Sequence, residues 1–317
     1  MDARSTILCP IDFSDASAGA LRWAAAVAEA RCARLIVLTV ADPLLTEALD
    51  LGTGVAWDPN DCAREIEEFA RKTLGSKSPN LATLEYQVAV GKSAAEILRV
   101  AREQSCELIV ISTHGLSGFR KLFFGSTTER VLRETTIPVL VTPPLDPGQV
   151  GIKDAKRLVR RILVPVDLTV ASLHQTRIAR ELSEALTVPL ILVTVVEPLK
   201  SGLAARLHLS GVEANRRAVA EEGLHELLTT IPPHLHAEGL VAYGDTAEEL
   251  AKVAHDRDAG LVVMGLHGSP LLGSRMGSVT YRLLCLAPGL VLALPPATAA
   301  SQTAKHSREG AVSRTTS

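Results

Sequence analysis

The chain repeats itself. Thr6-Ile-Leu-Cys-Pro10-Ile-Asp12 returns as Arg161-Ile-Leu-Val-Pro165-Val-Asp167, and Leu35-Ile-Val-Leu-Thr-Val-Ala-Asp-Pro43 returns as Leu190-Ile-Leu-Val-Thr-Val-Val-Glu-Pro198. Val88-Ala-Val-Gly91 is echoed by Val241-Ala-Tyr-Gly244, and Thr113-His114-Gly115…Gly125-Ser126-Thr-Thr128 by Leu266-His267-Gly268…Gly277-Ser278-Val-Thr280. The offset stays between about 150 and 155 residues throughout, which marks a duplicated domain. A unit of that length can close its own core, unlike a solenoid repeat. The 317 residues therefore divide into 1–147, 148–296 and a tail over 297–317, with Pro143-Pro-Leu-Asp-Pro147-Gly148 as linker. The tail lacks periodicity and is expected to be disordered.

Within the first copy, short apolar runs alternate with helical patterns. Strands are expected at Thr6–Ile11, Leu35–Val40, Leu84–Val90, Leu108–Ile111 and Pro138–Thr142. Helices are expected over Ala18–Ala30, with Leu21, Trp23, Val27 and Ala28 on a core face, and over Asp61–Leu74, to Glu103, and Ser126–Glu134. The stretch Ala41–Asn60, broken by Pro43, Gly52, Gly54 and Pro59, reads as a long loop. The β-α-β-α-β-α-β-α-β order predicts an α/β fold: two tandem Rossmann-like domains, each a five-stranded parallel sheet with helices on both faces. Ligands of such sheets bind beyond the carboxyl ends of the strands, where strand order reverses. Asp12 and the loop from Ser112 to Ser126 both follow strand ends, so they can meet there.

Gly125-Ser126-Thr127-Thr128-Glu129 has the pattern of a helix start, with Ser126 as cap and Glu129 reciprocating three residues later. A glycine-flanked helix N-terminus after a strand offers N–H donors and a positive dipole end, which suits phosphate. The same pattern also occurs in strand-to-helix turns that bind nothing. Gly91-Lys92-Ser93 invites a P-loop reading, but the required glycine five residues earlier is Tyr86, so the reading is rejected. Ser93 and Glu96 read instead as a capping box.

Composition removes several classes of function. A formal net charge of −2 and an aromatic content of 3% give no reason to expect nucleic acid or an anionic membrane as partner. The apolar runs are strand-sized, too short for a membrane span, and no signal peptide is read at the N-terminus. The five cysteines (Cys9, Cys32, Cys62, Cys106, Cys285) are odd in number and contain no Cys-x-x-Cys pair, as in a cytoplasmic protein with reduced thiols. In the second copy a longer helix is expected over Leu203–Leu228. His225, His234 and His236 lie in or just after it and read as solvated, since no third metal ligand has a fitting spacing.

Taken together, these residues resemble the universal stress protein family in its tandem form, from Thr6 to Pro295. Nucleotide-binding members of that family carry Gly-x2-Gly-x9-Gly-Ser/Thr after the fourth strand. The first copy has Ser112-x2-Gly115-x9-Gly125-Ser126, with serine for the first glycine; the second has Gly265-x2-Gly268-x8-Gly277-Ser278, one residue short. The resemblance implies ATP, with or without Mg²⁺, its adenine near the end of the second strand, its ribose near the first and its phosphates along the glycine loop. By position it implies Pro10, Ile11, Asp12, Val40, Ile111, Ser112, His114, Gly115, Gly125, Ser126 and Thr127 in the first copy. In the second it implies Pro165, Val166, Asp167, Val195, Met264, Gly265, His267, Gly268, Gly277, Ser278 and Val279. Asp12 can accept from sugar hydroxyls, and the glycines let backbone approach phosphate. Arg120 and Lys121 either meet phosphate or form a solvated loop face; the second copy keeps Arg275 there, so the first is expected to bind better. Ser112 is tolerable if its φ is negative, although its Cβ can crowd a ligand.

Three readings stay open: an ATP-binding regulator of stress response, an interaction scaffold without nucleotide, and a slow ATPase. Phosphoryl transfer wants a base, a metal carboxylate and a cationic clamp, and the loops supply little acid, so the chain is not expected to be an enzyme and any ATP turnover is expected to be slow. Family members pair through their last strands. Here that implies an intrachain pseudo-dimer joining Val139–Thr142 to Leu290–Leu294, which covers two exposed edges; a homodimer of the whole chain is left open.

Overall fold

A computed structural model describes residues 5–44, 58–75, 84–113, 125–143, 158–199, 210–266 and 276–296. The first half runs β1 (Thr6–Pro10), α1 (Asp15–Ala30), β2 (Arg34–Ala41), α2 (Pro59–Leu74), β3 (Leu84–Val90), α3 (Ser93–Glu103), β4 (Leu108–Ser112), α4 (Ser126–Glu134) and β5 (Val139–Thr142). The second runs β6 (Ile162–Pro165), α5 (Val170–Leu186), β7 (Leu190–Val196), α6 (Ser210–Thr229), a 3₁₀ turn (Pro233–Leu235), β8 (Glu238–Tyr243), α7 (Thr246–Asp256), β9 (Leu261–Gly265), α8 (Ser278–Leu286) and β10 (Leu290–Leu294).

The strands form one ten-stranded sheet in the order β3-β2-β1-β4-β5-β10-β9-β6-β7-β8. All neighbours are parallel except β5 and β10, which run antiparallel with Val291 opposite Val141, Leu292 opposite Leu140 and Ala293 opposite Val139. The expected pairing of the last strands is thus present, and it turns two five-stranded sheets into one. Each half has the order 3-2-1-4-5, so the strand order reverses between β1 and β4, and again between β6 and β9.

Every residue of β1, β4, β5 and β10 is buried, because helices cover both faces of the sheet. Side chains alternate between the two faces. Ile7, Cys9, Leu35, Val37 and Val110 join Val164, Leu192 and Val263 in one core. Leu8, Ile36, Leu38 and Ile109 join Leu163, Ile191 and Val262 in the other. The cores are therefore divided by sheet face and not by sequence copy, as the separate core expected for each copy would have been. Leu21, Trp23 and Ala28 are buried on α1 and Val27 is half-buried, as their spacing predicts.

Two local expectations fail. The Ser126–Glu129 capping box does not form: Gly125 takes the N-cap of α4 without a side-chain bond, Ser126 is the first helical residue, and Glu129 pairs with Arg133 at 2.6 Å. The Ser93–Glu96 box fails likewise. Lys92 holds the N-cap of α3, and Glu96 pairs with Arg99 at 2.7 Å. In both cases the helix begins one residue earlier than a capping serine requires, so the carboxylate takes the cation on the next turn instead.

Candidate functional site

Beyond Leu8 and Ile109, β1 and β4 no longer pair, and the same is true of β6 and β9 beyond Leu163 and Val262. A crevice thus opens at the carboxyl ends of these strands in each half, at the reversal point where such sheets bind ligands. Pro10 and Ser112 end the flanking strands of the first crevice, and Pro165 and Gly265 those of the second.

The backbone of the wall on the β1 side follows the same course in both halves. Ile11 N–H donates to Leu38 C=O at 2.8 Å, and Val166 N–H to Val193 C=O at 2.9 Å, carrying the pairing one residue past each strand. Asp12 and Asp167 follow, and the next residue turns left-handed, with φ 63° at Phe13 and 59° at Leu168. Bulky residues adopt this conformation only when the surroundings impose it. Phe13 is held by an edge-on contact with Phe69, ring centres 5.4 Å apart. Asp12 Oδ1 accepts from Ser14 N–H at 3.2 Å and Ser14 Oγ at 2.5 Å, and Ser14 caps α1 by accepting from Ser17 N–H. Asp167 Oδ1 accepts from Thr169 N–H at 3.0 Å, Thr169 Oγ1 at 2.7 Å and Ser172 Oγ at 2.5 Å. Burial acts to raise the Asp167 pKa, but these donors outweigh it and hold the carboxyl below the ordinary carboxylate value.

The opposite wall is the start of α4. Gly125 N–H donates to Thr113 C=O at 3.1 Å, and Thr128 Oγ1 to Ser112 C=O at 2.9 Å, which ties the helix N-terminus to the end of β4. Thr280 Oγ1 and Gly265 C=O repeat the tie in the second half at 3.3 Å. Neither Gly125 nor Gly277 supplies a side-chain cap, so among the described residues the N-cap positions of α4 and α8 leave the first-turn N–H groups without a side-chain bond. Ser126 and Ser278 are exposed at these starts, with Thr127 and Val279 half-buried beside them.

Of the positions suggested by sequence, Pro10, Ile11, Asp12, Ile111, Ser112, Gly125, Ser126 and Thr127 lie at one end of the sheet in the first half. Val40, near the end of β2, lies at the same end. Pro165, Val166, Asp167, Val195, Met264, Gly265, Gly277, Ser278 and Val279 do so in the second. His114, Gly115, Arg120, Lys121, His267, Gly268, Arg275 and the tail fall outside the described residues. Ser112 is an ordinary strand residue without positive φ, paired with Thr142, so serine brings no backbone strain where the family motif has glycine.

Sequence reasoning missed four threonines. Besides Thr128 and Thr280, Thr39 Oγ1 donates to Ile11 C=O and Thr194 Oγ1 to Val166 C=O, each at 3.0 Å and buried. Their signal was present: each is kept at the same place in both copies, Thr39 and Thr194 as polar residues inside apolar strands. His234 and His236 are exposed, and among the described residues no three His, Cys, Asp or Glu side chains could hold a metal ion. The cysteines are free thiols, and burial pushes the Cys9 thiol upward and Cys106 to about 11, away from nucleophilic use.

Comparison with known proteins agrees with this geometry. The family model described as the universal stress protein family matches residues 3–143 and again 159–295. Universal stress protein YxiE of Bacillus subtilis is 32% identical over 143 residues, covering 43% of this chain and 96% of the relative. Universal stress protein MJ0577 of Methanocaldococcus jannaschii is 26% identical over 149 residues, 43% of this chain and 92% of its own. The solved structure of a universal stress protein from Archaeoglobus fulgidus superposes with a TM-score of 0.60 over 92% of this chain and 96% of that one, at 17% identity. A Pseudomonas aeruginosa protein of unknown function does so with a TM-score of 0.59 over 98% of both chains at 16% identity. At such identities these structures speak for the fold alone. With the family matched once in each half of a single continuous sheet, the chain belongs to the universal stress protein family as a tandem, two-domain member.

Proposed function

We propose that the protein binds ATP in the crevice between β1 and β4 and acts as a nucleotide-dependent regulator in stress response, with the second crevice binding more weakly. The observation that carries this reading is the pairing of walls at the reversal point. The Asp12 turn stands on one side, and the start of α4 at Gly125, pinned by Thr128, stands on the other. A carboxylate suits ribose hydroxyls, and helix N–H groups suit phosphate oxygens. Ser126 adds a hydroxyl donor at the same helix start. Mg²⁺ would be carried by the phosphates, since the described residues include no acidic or histidine cage for it. The wall residues hold and orient; none is placed as a base with a metal carboxylate and a cationic clamp, so the reading is a binder without significant turnover.

Ser112 in the place of a motif glycine favours the second reading, an interaction scaffold without nucleotide. Two measurements separate them. Acid denaturation of the purified protein should release adenine nucleotide, detected by chromatography. Calorimetry of the full chain with ATP·Mg²⁺ should give a binding isotherm that Asp12→Ala weakens about tenfold, the scale of one or two lost hydrogen bonds. No released nucleotide and no heat from the wild-type chain would replace the first reading with the second.

A further inference from the structure

The two crevices differ at a position that the loop motifs do not reveal. In the second half, Gln175 on α5 reaches between the parted strand ends. Its amide nitrogen donates to Pro165 C=O, and its Oε1 accepts from Gly265 N–H at 2.8 Å. The two partners fix the amide's orientation, because a carbonyl needs a donor and an N–H needs an acceptor. Pro165 and Gly265 end the two strands that flank the crevice, so Gln175 spans its floor.

The Asp167 wall is satisfied from within as well. Ser172 Oγ donates to Asp167 Oδ1 while accepting from Asp167 N–H at 3.0 Å, and Thr169 adds two further bonds to the same carboxylate oxygen. The first half is built differently at both places. By the repeat, Gln175 corresponds to Ala20, a fully buried methyl with no polar atom to bridge Pro10 and Ser112. Ser172 corresponds to Ser17, whose hydroxyl donates to Ser14 C=O at 2.9 Å instead of to Asp12.

We infer that Gln175 is an internal plug: its side chain bridges the parted strand ends of the second crevice, and it weakens nucleotide binding there relative to the first half. The inference rests on the nucleotide reading above and adds the residue that decides between the halves. A ligand entering the second crevice must break the amide's two bonds to backbone. That weakens binding there by roughly 10- to 100-fold relative to an unplugged crevice. Replacing Gln175 by the alanine of the first half should open it.

The test is calorimetric titration of the full-length wild-type chain and Gln175→Ala with ATP·Mg²⁺, read as stoichiometry. Amide hydrogen exchange at Gly265 is measured alongside, with urea unfolding to show that the variant is folded. At ATP concentrations that saturate only the tighter crevice, the expected result is one equivalent for wild type and two for Gln175→Ala. Gly265 N–H should be protected in wild type, exposed in the free variant and protected again with ATP. Two equivalents in wild type, or an unchanged count in the variant, overturn the plug. If wild type binds nothing and Gln175→Ala binds one, the plug stands and the assignment of the first crevice fails. No binding by either chain removes both.

Discussion

Thr39→Val separates the role of one hydroxyl from that of its shape. Valine keeps the β-branched outline and the strand preference of threonine, so the main loss is the donor to Ile11 C=O at 3.0 Å. Thr39 and Ile11 are each 6% exposed, so water cannot replace the bond. Leaving a buried acceptor unsatisfied costs about 1–3 kcal/mol, and burying a methyl in place of the hydroxyl returns up to about 0.8 kcal/mol. The net expectation is a destabilisation of about 0.2–2 kcal/mol, seen as a lower urea midpoint at unchanged slope. The Ile11 carbonyl shares its peptide plane with the Asp12 N–H, so exchange of that amide should quicken and nucleotide affinity should fall with it. Thr39→Ser, which keeps the hydroxyl and loses only a methyl, should leave Asp12 exchange near the wild-type rate. The reasoning is refuted if Thr39→Val unfolds at or above the wild-type midpoint, or if the valine and serine variants expose Asp12 equally. The repeat extends the prediction to Thr194→Val, which should loosen the Asp167 turn in the same way.

Two further outcomes follow from the walls and caps. Asp167 has its folded pKa lowered, so its stabilising contribution is present above its ordinary carboxylate pKa and is lost as pH falls through the lowered value. The gap in urea midpoint between wild type and Asp167→Asn should therefore be widest near pH 7 and close toward pH 3; a gap that grows in acid would contradict this. The α7 cap Asp245 accepts from Ala247 N–H and Glu248 N–H, whereas its counterpart Lys92 makes no side-chain cap for α3. Lys92→Asp should raise stability by about 0.5–1 kcal/mol and Asp245→Ala should lower it by about 1 kcal/mol, both measured by thermal or urea unfolding. A Lys92→Asp chain no more stable than wild type would show that the α3 start gains nothing from a cap.

Much of the site was legible in the sequence because duplication supplied an internal comparison. Asp12 with Asp167, Gly125 with Gly277 and Ser126 with Ser278 stand out as matched positions after matched apolar runs. Strand ends are fixed by local pattern, and in a parallel sheet local pattern already places them at one edge. Thr39 and Thr194 were equally legible as matched polar residues in apolar strands, but their role lay in a bond to a residue 28 positions away. The capping boxes at Ser93 and Ser126 were misread because serine followed by glutamate fits a cap pattern in one dimension. The helices instead take Lys92 and Gly125 as N-caps, and Arg99 and Arg133 take the carboxylates.

The sequence by itself determined the architecture: two copies of an alternating strand-helix unit, their buried strands, and the turns on which a ligand site can be built. Those features depend on periodicity and on residue chemistry that acts over a few positions. The family resemblance already implied that the last strands pair. Only the tertiary structure decided what this antiparallel contact of β5 with β10 does to the cores, which divide by sheet face and run through both halves. It also decided that Gln175 lies across one crevice, at a position where the other copy has the buried Ala20. Gln175 and Gly265 are 90 residues apart, and a side chain's partner at that separation is set by packing, which no local pattern encodes.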